Sequence, residues 1–185
     1  MDITTIVGFI SGFTLLVMGM LFGGTLQAFM DVPSFLITAG GSLAALLISS
    51  PLMDLVRWPG ILGKYVLLWP GDVYAKVHPE MYTDLGIDRP EPASDERIAQ
   101  VRSDLALGAA LMGRLQRYPI GIGAVGSLVG IVNMLQYLED LSHIGPGLAT
   151  AILTLFYGGV LTYLVILPVK HKLEARLRSL DERFW

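Results

Sequence analysis

The sequence predicts an all-α protein that crosses a membrane four times, with both termini on the cytoplasmic side. Three observations lead there. Of its 185 residues, 53% are hydrophobic and only 16% charged, where soluble domains carry about 25% charged residues. The charges are segregated: 17 of the 29 lie between Pro51 and Tyr118 and eight follow Pro168, while Asp2, Asp31, Glu139 and Asp140 stand apart. The remaining chain holds four apolar stretches, and roughly 20 apolar residues at 1.5 Å each cover about 30 Å of hydrocarbon. A soluble bundle would show polar faces at helical period, whereas these stretches are apolar all round.

The first stretch runs from about Ile3 to Phe22. A signal peptide would need a basic leading region, and no Lys or Arg occurs before Arg57, so the stretch reads as a retained helix. The second, from about Pro33 to Ser50, is short and predicts continuation into the following apolar turn. Between 51 and 117 lies a charged segment holding six of the ten prolines, which limits its first forty residues to short helical pieces. Its Trp58, Tyr65 and Trp69 suit a headgroup layer, where an aromatic ring with a polar edge is favoured. From Ser94 the pattern turns helical: an N-cap, first-turn acids, then Ile98, Val101, Leu105 and Ala109, running to Arg117 and into the third span. That span covers about Tyr118 to Leu138, the fourth about Leu148 to Leu167.

Basic residues flanking membrane helices stay in the cytoplasm. Eight of the thirteen lie between Arg57 and Arg117 and five between Lys170 and Arg183. Residues 1–50 therefore hold helices 1 and 2, 51–117 form a cytoplasmic segment leading into helix 3, 118–168 hold helices 3 and 4, and 169–185 are a cytoplasmic tail. The connections Gly23 to Val32 and Glu139 to Gly147 fall outside.

Composition also excludes functions. A net charge of −3 without a basic block argues against nucleic acid. There is no cysteine for disulfide or thiolate chemistry. His78, His143 and His171 are isolated, so no metal site is expected. No nucleophile with its base, acid pair or metal cluster is present in any span or loop, which argues against an enzyme.

Glycines recur at four-residue spacing at Gly8 and Gly12, Gly19 and Gly23, and Gly126 and Gly130, the pattern that lets membrane helices approach closely. Gly123 and Gly158 belong with this packing set. Gly121, Gly123 and Gly126 match G-x-G-x-x-G, but inside an apolar span that pattern means packing rather than a nucleotide cradle. On the fourth span Gly147, Thr150, Thr154 and Tyr157 share a face, and Ser127 lies one turn after Gly123 on the third. Such hydroxyls either line a path for ions or water, or bond the carbonyl one turn back. Intramembrane ion carriers use a carboxylate, histidine or lysine, and none of the four spans contains one. Any ion carrier must come from another polypeptide.

Several segments carry a family resemblance: Asp31-Val-Pro-Ser-Phe, Ala39-Gly-Gly-Ser-Leu-Ala-Ala, Arg117-Tyr-Pro-Ile-Gly-Ile-Gly-Ala-Val-Gly-Ser, His143-Ile-Gly-Pro-Gly through Thr154-Leu-Phe-Tyr-Gly, and Ile166-Leu-Pro-Val. They resemble the four-span MotA-type stator subunits of the MotA/TolQ/ExbB proton channel family, over roughly residues 1–55 and 110–178. The resemblance implies a bacterial inner-membrane homo-oligomer. Five copies would form a ring around two copies of a MotB-like single-span partner whose aspartate carries the ion, with a flagellar rotor as the load. It implies ion-path roles for Ser127 and Thr154 and matches Pro146 and Pro168 to two helix-shaping prolines. Leu155 stands where the family's second threonine would be, which removes an oxygen and favours protons over sodium. The cytoplasmic segment is shorter than in flagellar stators, so the rotor-engaging charges are not carried over; Asp95, Glu96, Arg97, Arg102 and Asp104 read as a solvated helix face. An ExbB/TolQ-like transducer acting on envelope proteins and a non-conducting scaffold are the alternative readings.

Overall fold

The computed structural model describes residues 3–67, 70–85, 88, 90–137 and 141–184. Among them there is no strand, and four helical runs are long and apolar enough to cross a membrane. The first span is α1 (Ile3–Gly23). A 3-10 turn, Leu26–Phe29, leads to Asp31, which caps the second span. That span is composite: α2 (Val32–Phe35), a π-turn (Leu36–Gly40) and α3 (Gly41–Ser49) form one unbroken run. It does not continue past Ser50 as the sequence suggested. Pro51 forces the residue before it out of the helical region, and Ser50 is extended at φ −135°, ψ 143°. The chain restarts as α4 (Leu52–Leu62).

The proline-rich segment forms the expected short pieces: α4, a π-turn (Gly63–Leu67), α5 (Gly71–Val77) and α6 (Pro79–Leu85). Next comes α7 (Asp95–Leu115), whose first turn is capped by Ser94, the Oγ accepting from the Arg97 N–H at 3.3 Å. Such a cap contributes about 1 kcal/mol. Only Gln116 and Arg117 separate α7 from α8 (Tyr118–Gln136), the third span. Pro119 sits in the first turn of α8, where a missing N–H costs nothing.

The fourth span is longer than the apolar stretch that signals it. It comprises α9 (Leu141–Gly159), a π-turn (Val160–Ile166) and α10 (Leu167–Phe184). Residues 141–147, expected as an outer connection, are helical; Glu139 and Asp140 lie outside the described residues. At the other end α10 enters a charged layer whose core joins Ile98, Val101, Leu105 and Leu111 of α7 to Val73 and Val77 of α5 and Leu173 and Leu180 of α10. The two long helices thus tie the membrane layer to the charged layer without a hinge segment between them.

Two residues of that layer depart from expectation. Tyr65, expected among headgroups, is fully buried, and Asp104, expected on a solvated face, is 8% exposed. The Tyr65 hydroxyl donates to Asp104 Oδ2 at 3.0 Å and Arg57 Nη2 donates to Oδ1 at 3.0 Å. A period-3.6 pattern places a residue on a face, but what docks on that face is decided by the segment bearing Tyr65. Trp58 is half-buried against the same core, and Trp69 lies outside the described residues. Three other α7 charges form ion pairs: Asp95 with Lys76, Arg97 with Asp72, Arg102 with Asp181. Lys76 holds the Asp95 carboxyl below its usual range.

Burial, with Asp104 as acceptor and neighbouring negative charge, pushes the Tyr65 phenol up to about 12 from 10.0. The folded state holds this proton more tightly than the unfolded chain. Its stabilisation is therefore complete below pH 10 and is lost as pH rises from there through about 12. Thermal unfolding followed by circular dichroism should show the melting temperature falling more steeply over that window for the wild type than for Tyr65→Phe. Parallel curves would contradict the assignment.

Candidate ion path

The third and fourth spans meet along a seam of glycines. A Cβ at Gly123 would lie 2.6 Å from the Thr154 carbonyl oxygen, at Gly130 2.5 Å from the Ala151 nitrogen, and at Gly158 2.6 Å from the Pro119 carbonyl oxygen. At Gly126 it would meet Thr154 Cγ2 at 2.8 Å. Real Cβ atoms do not come that close, so α8 and α9 touch backbone to backbone only because these positions lack side chains. In lipid, where apolar burial gives no drive between helices, this contact supplies the packing attraction. The glycines of α1 differ. Gly8, Gly19 and Gly23 face open space and Gly12 meets only Leu164, so the first two spaced pairs make no such seam within the chain. The G-x-G-x-x-G pattern lies wholly inside α8, and Gly121 faces open space.

The second span seals one flank of this pair with hydroxyls. Ser34, Thr38 and Ser42, spaced by four, are all buried. Thr38 Oγ1 donates to the Thr154 carbonyl at 3.1 Å, and Ser34 Oγ lies 3.3 Å from the Thr150 carbonyl oxygen. Asp31 accepts from the Ser34 N–H at 2.9 Å and also pairs with its hydroxyl. Tyr157 accepts from the Asp31 N–H at 3.1 Å and donates to the Phe29 carbonyl. Thr154 is fully buried, its Oγ1 3.0 Å from the Thr150 carbonyl oxygen and 3.1 Å from that of Ala151. Of the two sequence readings, its hydroxyl follows the one in which it bonds the preceding turn. Ser34, Thr38 and Ser42 were not singled out from the sequence, although their four-residue spacing was the available signal.

The opposite flank is open. Ile122 packs on Gly41 of the second span, and Ser127 lies five residues on, about 140° around α8 at about 100° per residue. Ser127 is half-buried there. The exposed residues of this flank include Ile131, one turn after Ser127, at 37% and Leu155 at 46%. Leu155 follows Thr154 and turns away from the second span, its Cα 3.4 Å from where a Gly123 side chain would begin. The seam thus presents an apolar groove edged by one hydroxyl. At the end of α8 remote from the charged layer, Asn133, Gln136, Tyr137, Pro146, Gly147 and Thr150 line a separate pocket of about 350 Å³; Asn133, eleven residues after Ile122, lies on the side of α8 that faces the second span. The three polar residues from α8 and its end had no distinguishing sequence signal.

Pro146 lies inside α9 rather than ahead of it, and Pro168 is the second residue of α10, directly after the π-turn. Neither can donate to the carbonyl four residues back. Both positions thus lie within a single helical run, where the sequence placed them as brackets around a shorter span.

Four apolar helices, a glycine-sealed pair of spans and an open groove edged by a hydroxyl define a polytopic helical membrane protein. No acidic, basic or histidine side chain lies in the runs Ile3–Gly23, Val32–Ser49 and Tyr118–Gln136. Residues 76–184 match the MotA/TolQ/ExbB proton channel family, and the chain belongs to it. It is 30% identical to Motility protein A of Aquifex aeolicus over 211 aligned positions, covering 94% of this chain and 82% of that protein. Chemotaxis protein PomA of Vibrio alginolyticus is also 30% identical, over 95% of this chain and 82% of its own length. The fold is that of the flagellar MotAB stator complex from Bacillus subtilis, with a TM-score of 0.76 at 17% identity, covering 98% of this chain and 86% of the matched one.

Proposed function

We propose that the chain is the wall-forming subunit of a flagellar stator, a non-enzymatic ion channel component of the bacterial inner membrane that couples proton flow to rotation. Several copies, five by resemblance, ring a MotB-like single-span partner that supplies the intramembrane aspartate. The observation that carries this reading is the groove between α8 and α9: it is apolar and exposed, and among the described side chains it has a hydroxyl but no titratable group. A bare carboxylate on a partner helix would find there a dry wall with one hydrogen-bonding site, at Ser127. Protonation neutralises that carboxylate and removes its preference for the hydroxyl, so the partner's contacts change with each proton. Thr150, Thr154 and Tyr157 serve the path from behind, fixing the backbone of α9 against the second span. Both termini and residues 51–117 and 169–185 lie in the cytoplasm, and the end of the seam beside Pro146 lies outside.

Proton flux into vesicles holding the chain and its partner tests this. We expect a pH gradient to dissipate, the partner's Asp→Asn variant to stop it, and Ser127→Val to slow it about fivefold, the equivalent of one lost hydrogen bond of about 1 kcal/mol. Flux no greater than in protein-free vesicles would overturn the channel role.

A further inference from the structure

The contact between the first and fourth spans opens into a wedge. At Gly12 the two helices are close, a side chain there meeting Leu164 Cδ1 at 2.9 Å. Towards the charged layer they separate, leaving a groove of about 370 Å³ between the start of α1 and the π-turn and first turn of α10. Its floor is apolar, formed by Phe9, Leu164 and Pro168, and Gly8 leaves it deep because nothing lies within 4 Å of where a side chain would start. Its rim is polar: Thr4, Thr5 and Lys172, with Lys172 donating to the Thr5 hydroxyl.

We propose that this wedge binds an anionic phospholipid of the cytoplasmic leaflet, its phosphate at Lys172, Thr4 and Thr5 and the start of an acyl chain along Gly8 and Leu164. Three features select that occupant over a soluble anion or a second protein helix. The floor is a continuation of the membrane-facing surface of α1, no part of which is buried within the chain, so lipid is the solvent that already reaches it. The cation stands where the apolar span gives way to the charged layer, the depth at which headgroup phosphates lie. Basic pockets between spans on the cytoplasmic side suit anionic headgroups, each Lys contributing about 1 kcal/mol near such a surface. The volume falls within the ~300–1,000 Å³ of small-molecule sites, too small for a helix about 10 Å across. A lipid filling the wedge would brace α1, which otherwise touches the fourth span at few points.

Native mass spectrometry of the intact assembly in neutral detergent, titrated with phosphatidylglycerol or phosphatidylcholine, tests the proposal. Phosphatidylglycerol should be retained at least fivefold better than phosphatidylcholine. Lys172→Gln should remove about fivefold of that preference, and Gly8→Leu, which fills the floor, should reduce retention of both lipids. Equal retention of the two lipids, or no effect of either substitution, would overturn it. Displacement by millimolar inorganic phosphate would identify a soluble anion as the ligand instead. The depth assignment rests on the cytoplasmic topology proposed above, but binding in detergent does not depend on it. Labelling of a cysteine introduced in the tail from either side of the membrane tests that topology separately.

Discussion

Replacing Gly130 by valine is expected to abolish recovery of folded protein from membranes. Overpacking against movable side chains costs typically 1–3 kcal/mol. Here the first atom of the new side chain would meet backbone, with the Ala151 nitrogen at 2.5 Å, the Ala151 Cα at 2.8 Å and the Gly147 oxygen at 2.8 Å. Backbone in a helix cannot rotate aside, so α8 and α9 must move apart. Separation at Gly130 also loosens the contacts at Gly123, Gly126 and Gly158, because dispersion attraction falls steeply over an ångström. The loss should therefore exceed the usual overpacking range. The measurement is the yield of monodisperse protein after extraction, with Gly19→Val as the control, since nothing lies within 4 Å of that position. Equal yields would show that the glycine seam does not govern folding.

Asp104→Ala should destabilise the charged layer by about 2 kcal/mol, mainly because it strands the Tyr65 hydroxyl. Tyr65 is fully buried, whereas the Arg57 side chain is 57% exposed and rehydrates once its partner is gone. The ion pair itself therefore contributes the smaller share. Asp104→Asn keeps an acceptor for Tyr65 and should recover more than half of the loss. In a double-mutant cycle with Tyr65→Phe, read by thermal or denaturant unfolding, the two changes should be non-additive by at least about 0.5 kcal/mol. Additivity would mean that the hydroxyl and carboxylate do not act as a pair.

These two predictions differ in how far the sequence foreshadowed them. The Gly126 and Gly130 pair was legible because four-residue spacing puts both on one face of any helix. The same rule also marked Gly8, Gly19 and Gly23, which meet nothing within the chain. Spacing identifies a face that permits close approach, but another helix must supply the approach. Asp104 reads from the sequence as one more charge of the solvated face that holds Asp95, Glu96, Arg97 and Arg102, and nothing local reveals that Tyr65, 39 residues earlier, folds over it. Thr154 shows a third case. The backbone carbonyls of Thr150 and Thr154 on the hydroxyl stripe meet the Ser34 and Thr38 hydroxyls of the second span. Leu155, noted from the sequence only for the oxygen it lacks, faces the open groove.

By itself the sequence determined the number of spans and the absence of a carrier group from the four apolar stretches that signal them. Each follows from a cost that acts on a residue wherever its neighbours lie: hydrocarbon penalises charge and unpaired backbone at every position, so the spans can be found by reading along the chain. Tertiary structure alone decided which glycines close a seam, which hydroxyls are sealed behind it and what buries Asp104. Those outcomes depend on the shape of two surfaces meeting at ångström distances. A one-residue rotation about a helix, about 100°, is enough to exchange the sealed Thr154 for the open Leu155.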